Sequence, residues 1–190
     1  MGMYGNEYKK HLGRNSRPYS DAHRGKYRVI VELLKDKPAN ILEIGVGIGW
    51  GLKKLFKKNC VNKYFGVEIT KDCIKFLDNQ LKSYDKNKFK IVNDDWLNVS
   101  GEEVKKYFNG EKADFTCCIE VIEHNPTDRY LEFLEKIHGL TKNMFFLSTP
   151  HGGKHSKLSV EECTKILKES GFQSVISFVW NGTPFYMCNP

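Results

Sequence analysis

The sequence lacks any apolar run long enough to span a membrane, and residues 1–10 contain no apolar stretch. A spanning helix needs about 20 consecutive apolar residues, and a secretory signal needs an apolar segment near its start. We therefore expect neither a membrane span nor a signal peptide. Hydrophobic residues make up 40% of the 190 residues, which predicts one domain with its own core.

Cysteine patterns that hold disulfides or zinc are also missing. The six cysteines include no C-x-x-C pair, and Cys117 and Cys118 lie inside an apolar run. Buried cysteines of this kind pack as small hydrophobic residues. The sequence thus predicts neither a disulfide framework nor a zinc site, and it indicates a reducing, cytoplasmic location.

Repeats and low-complexity segments are absent, and strand-like and helix-like segments alternate along the chain. The apolar patterns predict strands at 40–44, 63–69, 89–92, 113–119 and 143–147, and helices at 21–35, 52–58, 71–81, 101–108, 125–138 and 159–170. Asn125 and Pro126 are predicted as the N-cap and first residue of the fifth helix. The turn Asn181-Gly182-Thr183 separates two β-like runs, as in a hairpin. This alternation predicts an α/β domain whose parallel sheet has helices on both faces and a C-terminal antiparallel hairpin.

The most informative stretch is ILEIGVGIGWG, from Ile41 to Gly51. An apolar run containing Glu43 leads into alternating glycines and then a helical pattern. Glycine permits positive φ and lets a ligand lie directly on the backbone. The dinucleotide fingerprint G-x-G-x-x-G requires a small third residue for close helix packing, but Trp50 occupies that position. The pattern therefore favours a ligand other than a dinucleotide.

This E-x-G-x-G-x-G pattern resembles the first motif of the class I S-adenosylmethionine-dependent methyltransferases. The resemblance implies a single Rossmann-like domain with a mostly parallel seven-stranded sheet and a C-terminal antiparallel hairpin. It also implies S-adenosylmethionine as the cofactor, with the loop passing under its methionine moiety. In that family the acid at the position of Glu43 reaches toward the cofactor's amino group. Gly45, Gly47 and Gly49 would provide the close backbone approach.

Acidic residues also follow the next two strands. Glu68 comes about twenty residues after the glycine loop, where a carboxylate can accept hydrogen bonds from both ribose hydroxyls. We therefore predict it as a ribose ligand and include its neighbour Ile69 in the cofactor site. After strand three come Asp94, Asp95 and Trp96. The resemblance implies that an aspartate here accepts from the adenine amino group and that the next residue packs on the ring; a simple Asx turn is the alternative.

Strand four leads directly into the segment EVIEH. This segment resembles that of small-molecule methyltransferases of the ubiquinone-biosynthesis type, and also that of small-RNA 2′-O-methyltransferases. The first resemblance places Glu120 near the cofactor and has Glu123 and His124 orient the loop. A hydroxyl acceptor would need a general base, and His124 is the candidate. The second implies a divalent metal held by Glu120, Glu123 and His124, with a fourth ligand from His151 or His155. We predict transfer without a metal and keep the metal site as the alternative.

We predict an enzyme that moves a methyl group from S-adenosylmethionine to an O or N of a small-molecule acceptor. The formal charge of +7 attracts nucleic acid or an anionic substrate, or simply solvates the surface. One alternative is therefore a metal-assisted RNA 2′-O-methyltransferase. The other is a catalytically silent, cofactor-binding partner subunit.

Residues 1–22 are predicted as an N-terminal lid or tail, and residues 23–190 as the methyltransferase domain. Tyr4, Tyr8 and Tyr19 have the apolar body and polar tip that suit a pocket lid. The additions that would build an acceptor site are short. We therefore expect that site to be open, or completed by a second copy or another subunit.

Overall fold

A single seven-stranded sheet organises the computed structural model, which describes residues 17–149, 158–180 and 182–190. The strands are β1 (Ala39–Ile44), β2 (Val61–Val67), β3 (Phe89–Val92), β4 (Ala113–Ile119), β5 (Thr141–Ser148), β6 (Ser174–Trp180) and β7 (Thr183–Asn189). Their order across the sheet is β3-β2-β1-β4-β5-β7-β6. Strands β1 to β5 are parallel, and β7 is antiparallel to both β5 and β6. The predicted mostly parallel sheet with its closing hairpin is confirmed.

Six α-helices cover the two faces of the sheet in the described part of the chain. They are α1 (Arg17–Leu33), α2 (Trp50–Lys57), α3 (Lys71–Gln80), α4 (Gly101–Tyr107), α5 (Tyr130–Leu140) and α6 (Val160–Glu169). Helices α1, α2 and α3 share one hydrophobic core, and α4, α5 and α6 share the core on the opposite face. Among the described residues, none of the helices has the length and apolarity needed to cross a membrane.

Each central strand contributes to both cores. In β1, Ile41 packs on the side of α1 to α3, whereas Leu42 and Ile44 pack on the side of α4 to α6. Side chains alternate between faces along a strand, so a sheet covered on both sides needs an almost continuous apolar run. Glu43 interrupts this run and is nevertheless 1% exposed. A buried carboxylate in a central strand requires a specific set of partners.

The start of α5 differs from the sequence prediction, and the assignment of Asn125 as its N-cap is wrong. The side-chain amide of Asn125 instead donates to the main-chain oxygens of Val121 and Ile122, at 3.2 and 3.4 Å. Pro126 has an extended backbone (φ −59°, ψ 139°), and a 3-10 turn at Thr127–Arg129 follows before the α-helix begins. Asn125 therefore closes the turn after β4 rather than opening the next helix.

The sheet order places the strand ends that matter for ligand binding side by side. From β1 the chain proceeds outward to β2 and β3, and it then returns to β4 on the other side of β1. In open α/β sheets, ligands bind outside the carboxyl ends of the strands at such a reversal. The ends of β1, β2 and β4 carry Glu43, Glu68 and Glu120, so the fold brings the predicted acidic residues to one edge.

Candidate cofactor and active site

The glycine loop is a tight left-handed turn between β1 and α2. Gly45, Gly47 and Gly49 have φ values of +80°, +55° and +75°, which residues with a Cβ adopt only with strain. The amide of Gly45 donates to the main-chain oxygen of Val67 at 2.8 Å, and Gly49 occupies the N-cap position of α2. The loop therefore leaves the sheet at the carboxyl end of β1 and turns at once into a helix, as the sequence predicts.

The glycines also permit close packing by protein side chains. A Cβ at Gly45 would lie 2.1 Å from Cγ2 of Val121, and one at Gly49 would lie 2.2 Å from Cδ2 of Leu77. At Gly51 it would lie 1.9 Å from Cε1 of Tyr27. Close packing against the first helix is thus achieved at Gly51, one residue beyond the bulky tryptophan of the motif. The contact between Gly45 and Val121 joins the glycine loop to the segment after β4.

Glu68 fastens the end of β2 to the glycine loop. Its Oε2 accepts a hydrogen bond from the amide of Gly47 at 2.7 Å, and its Oε1 accepts from the amide of Thr70 at 2.8 Å. The side-chain amide of Asn93, at the end of β3, donates to the main-chain oxygen of Glu68 at 2.8 Å. Beside this buried carboxylate, Ile69 is 61% exposed. The predicted ribose ligand and an exposed apolar side chain therefore lie together at the loop.

The loop after β3 contains the aspartates predicted to contact adenine. One carboxylate oxygen of Asp95 accepts from the amide of Leu97 at 2.9 Å, which is the Asx turn considered as the alternative. Oδ1 of Asp94 accepts from the amide of Asp95 at 2.7 Å and from the side chain of Asn98 at 3.1 Å. Asp94 is exposed and Asp95 half-buried. Both side chains lie at the carboxyl end of β3, and the turn fixes their directions.

Trp96 lies beneath this loop in the core. Its side chain is 3% exposed, packs edge-on against Phe133 and donates its indole N–H to the main-chain oxygen of that residue at 3.4 Å. The ammonium of Lys136, from α5, donates to the main-chain oxygens of Trp96 and Leu97 at 2.7 and 3.0 Å. It also lies 4.7 Å from the centre of the indole ring. This burial favours a supporting role for Trp96 over the predicted contact with a ligand ring.

Glu43 is held by two tyrosine hydroxyls. Tyr27 of α1 donates to its Oε1, and Tyr64 of β2 donates to its Oε2 at 2.7 Å. Burial raises the pKa of Glu43 to about 7; the hydrogen bonds from the two tyrosines lower it, and the charge of Glu68 raises it. The carboxyl group is therefore buried between Tyr27 of α1 and Tyr64 of β2, and its protonation state responds to pH near neutrality.

Glu120 forms an ion pair with Lys26, which comes from α1. The ammonium of Lys26 is buried and donates to Oε1 of Glu120, whose side chain is 20% exposed. Burial lowers the pKa of Lys26 to about 8, while the charge of Glu123 raises it. Glu120 itself has a left-handed backbone (φ +54°), and its amide donates to the main-chain oxygen of Ser148 at 2.9 Å. The segment after β4 is thus tied both to α1 and to the end of β5.

The remaining residues of the EVIEH segment form a short 3-10 turn, Ile122–His124. Glu123 is 5% exposed, whereas the side chain of His124 is exposed. Within residues 17–149, 158–180 and 182–190, no three His, Cys, Asp or Glu side chains are grouped so that they could hold a metal ion. His151 and His155, the other predicted metal ligands, lie outside the described residues, as do Tyr4 and Tyr8 of the predicted lid.

Sequence reasoning missed Lys26, Tyr64 and Lys136, and treated Tyr27 only as an apolar residue of a helix. A signal for Lys26 was present, because it precedes Ile30 by one helical repeat and so lies on the buried stripe of α1. A lysine on such a stripe needs a negative partner. The other three contacts depend on how elements pack across the sheet, which local patterns do not specify.

Comparison with known proteins identifies the family. A family model described as a methyltransferase domain matches residues 20–176. Comparison of the sequence with curated proteins gives no significant match.

Solved structures with the same fold include several methyltransferases. The methyltransferase domain of a bacterial Hen1, CtHen1, is 17% identical with a TM-score of 0.71, over 88% of this chain and 99% of that chain. Magnesium protoporphyrin IX methyltransferase (ChlM) from Synechocystis PCC 6803, with bound S-adenosylmethionine, is 15% identical with a TM-score of 0.74, over 98% of this chain and 91% of that chain. The complex of DhpI with S-adenosylhomocysteine is 15% identical with a TM-score of 0.73, over 97% of this chain and 94% of that chain.

At these identities the structural matches show a common fold. The family model matches the sequence itself, from α1 through the glycine loop and the EVIEH segment into β6. The chain therefore belongs to the methyltransferase domain family.

Proposed function

We propose that this chain transfers a methyl group from S-adenosylmethionine to an O or N atom of a small-molecule acceptor. The observation that carries the proposal is the hydrogen bond of 2.7 Å between the amide of Gly47 and the carboxylate of Glu68. It holds the carboxylate of Glu68, the proposed ribose ligand, against a glycine turn at the reversal of the sheet order. A nucleoside ligand fits this combination better than a substrate held by side chains alone.

The residues present suit the nucleoside part of the cofactor. The carboxylate oxygens of Glu68 each accept one backbone hydrogen bond, and each has a second lone pair for a ribose hydroxyl. The exposed side chain of Ile69 offers an apolar surface for an adenine ring. Asp94 and Asp95 provide carboxylate acceptors for its amino group. Trp96 and Lys136 would hold their loop in place.

The residues around β1 and β4 suit the methionine part and the acceptor. When bound, the sulfonium of S-adenosylmethionine supplies an already activated methyl group. The protein then has to exclude water and bring the acceptor atom close and in line, which is a proximity effect. The protonation state of Glu43, which its two tyrosine partners influence, would set the charge at the end of β1. His124, exposed beyond β4, is the proposed general base for a hydroxyl acceptor.

The ion pair of Glu120 favours a small-molecule acceptor over the metal-assisted RNA reaction. In that alternative Glu120 would bind a divalent cation, but its Oε1 accepts a hydrogen bond from the ammonium of Lys26. An ammonium and a metal ion at the same oxygen would repel each other. RNA remains the second candidate because the formal charge of +7 favours an anionic partner.

Two measurements test the proposal. Calorimetry should show that S-adenosylmethionine and S-adenosylhomocysteine bind with micromolar affinity, about −7 to −8 kcal/mol, while NAD does not. Transfer of a labelled methyl group should then be assayed against a pooled metabolite fraction and a separate RNA fraction, with and without EDTA. Label in the metabolite fraction that survives EDTA supports the proposal. Label confined to RNA and lost with EDTA would favour the alternative, and binding of NAD alone would exclude both.

A further inference from the structure

Lys26 is a buried charge on the apolar stripe of α1. Its side chain is 2% exposed, and Ile30 on the same stripe belongs to the core between α1 and the sheet, as does Leu34 just after the helix. Burying an ammonium is costly unless an opposite charge compensates it. An apolar residue at this position would satisfy packing at lower cost. The presence of a lysine therefore points to a role for its charge.

The partner of Lys26 is itself unusual. Glu120 follows the last residue of β4 and has a φ of +54°, although it is not glycine. Non-glycine residues in this conformation carry strain and persist only where their surroundings hold them; they are concentrated at functional sites. Here the hydrogen bond from the Glu120 amide to Ser148 holds the backbone, and Lys26 holds the side chain. The carboxylate is thereby fixed with a fifth of its side-chain surface still exposed.

The pair lies next to the loop proposed to hold the cofactor. Val121, the residue after Glu120, packs against Gly45. A Cβ added to Gly45 would lie 2.1 Å from the side chain of Val121. Three further glutamates at this edge, Glu43, Glu68 and Glu123, are each 5% exposed or less. The edge is thus rich in carboxylates, and Lys26 brings a positive charge among them.

We propose that Lys26 is a positioning residue that holds Glu120 and sets the charge of the methyl-donor pocket, so that it determines the preference between S-adenosylmethionine and S-adenosylhomocysteine. The inference rests on the proposed function, because it concerns the same pocket. The two nucleosides differ by the methyl group and by the positive charge of the sulfonium. Their relative affinity therefore reports the charge of the pocket.

The direction of each effect follows from electrostatics. Loss of the positive charge at Lys26 makes the pocket more negative, which favours the cationic substrate over the neutral product. Loss of the negative charge at Glu120 makes the pocket more positive and has the opposite effect. Removing both charges restores the balance. A purely structural defect would weaken the binding of both nucleosides alike and leave the ratio of their dissociation constants unchanged.

The test measures the ratio of dissociation constants, S-adenosylhomocysteine over S-adenosylmethionine, by calorimetry near pH 7. We expect about a fivefold rise in Lys26→Met and about a fivefold fall in Glu120→Gln, as for one charge at close range in a partly hydrated site. Lys26→Arg and the double variant Lys26→Met/Glu120→Gln should stay within about twofold of the wild type.

A matched control removes an equal charge at the opposite edge of the sheet. Lys142, near the start of β5, forms an exposed ion pair with Glu111 at 3.4 Å. Lys142→Met should leave the ratio unchanged, because charges at a distance in water are screened. A comparable change in this variant would mean that net charge rather than position acts, and it would overturn the inference.

The outcomes separate this inference from the proposed function. If wild-type protein binds neither nucleoside, the proposed function fails and the inference fails with it. If it binds both and the ratio stays within about twofold in Lys26→Met and in Glu120→Gln, the inference alone fails. Should Lys26→Met lose its thermal unfolding transition, Glu120→Gln and Lys26→Arg decide the question, since they test the opposite charge change and its rescue.

Discussion

The candidate site has two sides that are built by different means. At the glycine loop and the end of β2, main-chain groups dominate, and the contact between Gly47 and Glu68 joins residues 21 positions apart. On the β4 side, side chains dominate, and the ion pair between Lys26 and Glu120 joins residues 94 positions apart. The first side is encoded in a short stretch of sequence, whereas the second exists only once α1 has packed on the sheet. Local motifs therefore identify the proposed cofactor better than the acceptor.

Gly45 is where the two sides meet, and its substitution should have the largest effect. In Gly45→Ala the new Cβ would overlap Val121 and sit at a φ of +80°, so the loop must move. We expect cofactor affinity measured by calorimetry to fall about 1,000-fold or more, about 4 kcal/mol. Thermal unfolding should show a still folded but destabilised protein.

Gly110→Ala is the control for backbone strain at a position outside the candidate site. Gly110 also has a positive φ, of +90°, but an added Cβ there would have nothing within 4 Å. This variant should lose about 1 kcal/mol of stability and keep its cofactor affinity. In the double variant Gly45→Ala/Val121→Ala, part of the affinity should return because the overlapping side chain is gone. Wild-type affinity in Gly45→Ala itself would show that the loop does not form the pocket.

The pH dependence of stability tests the buried carboxyl group of Glu43. The folded-state pKa of Glu43 is raised from an ordinary 4.5 to about 7, so folding favours the protonated form. Its contribution to the free energy of unfolding is complete below pH 4.5 and is lost as pH rises through about 7. Relative to Glu43→Gln, which cannot ionise, wild-type stability should fall by about 3 kcal/mol over this range. Parallel pH profiles for the two proteins in urea unfolding would contradict this account.

Glu68→Gln should weaken only the contacts between the end of β2 and the glycine loop, and with them the binding of the cofactor. The amide cannot accept at both of its polar atoms, so the bonds from Gly47 and Thr70 cannot both be kept. We expect about a 30-fold loss of cofactor affinity, about 2 kcal/mol. Asp114→Asn is the matched control, since Asp114 accepts from the amide of Asn40 at 2.9 Å near the amino end of β4. Equal losses of affinity in both variants would indicate a general weakening of the sheet.

His124→Ala should have the smallest effect on binding. The imidazole is exposed on the turn after β4, and exposed substitutions usually change stability by no more than about 0.5 kcal/mol. We expect unchanged cofactor affinity and thermal stability, together with slower methyl transfer if the acceptor is a hydroxyl. A large loss of S-adenosylhomocysteine affinity would instead place His124 in the cofactor pocket.

The sequence predicts most of the fold because the strands are covered on both faces. The bounds of β3 and β4 agree with the predicted 89–92 and 113–119, and in β4 the buried apolar run has clear ends. The start of α5 was missed because Asn125 and Pro126 carry a strong local capping signal. In the structure, the side-chain amide of Asn125 donates to main-chain oxygens of the preceding turn instead. Helix α1 begins at Arg17, four residues before the predicted 21, where an apolar pattern is lacking.

In the candidate site, too, some contacts could be predicted from the sequence and others could not. The glycine loop and Glu68 are in contact in the structure and close in sequence, so their spacing along the chain predicts that they lie together. Nothing local to Glu120 indicates that Lys26 is its partner, and nothing local to Glu43 indicates the hydroxyls of Tyr27 and Tyr64. The contacts of Lys26 and Tyr27 follow from the packing of α1 on the sheet, and that of Tyr64 follows from the pairing of β2 with β1. A polar residue on a predicted apolar stripe is the sequence signal that indicates such a contact.

The central claim is that the carboxyl edge at β1 and β2 binds the nucleoside of S-adenosylmethionine, and a crystal structure with S-adenosylhomocysteine tests it most directly. We expect both ribose hydroxyls within about 3 Å of the Glu68 carboxylate, with the glycine loop against the amino-acid part. The adenine ring should lie on Ile69, with Asp94 or Asp95 at its amino group. A nucleoside bound away from Glu68, or ribose hydroxyls held by other residues while Glu68 keeps only its backbone partners, would contradict the account.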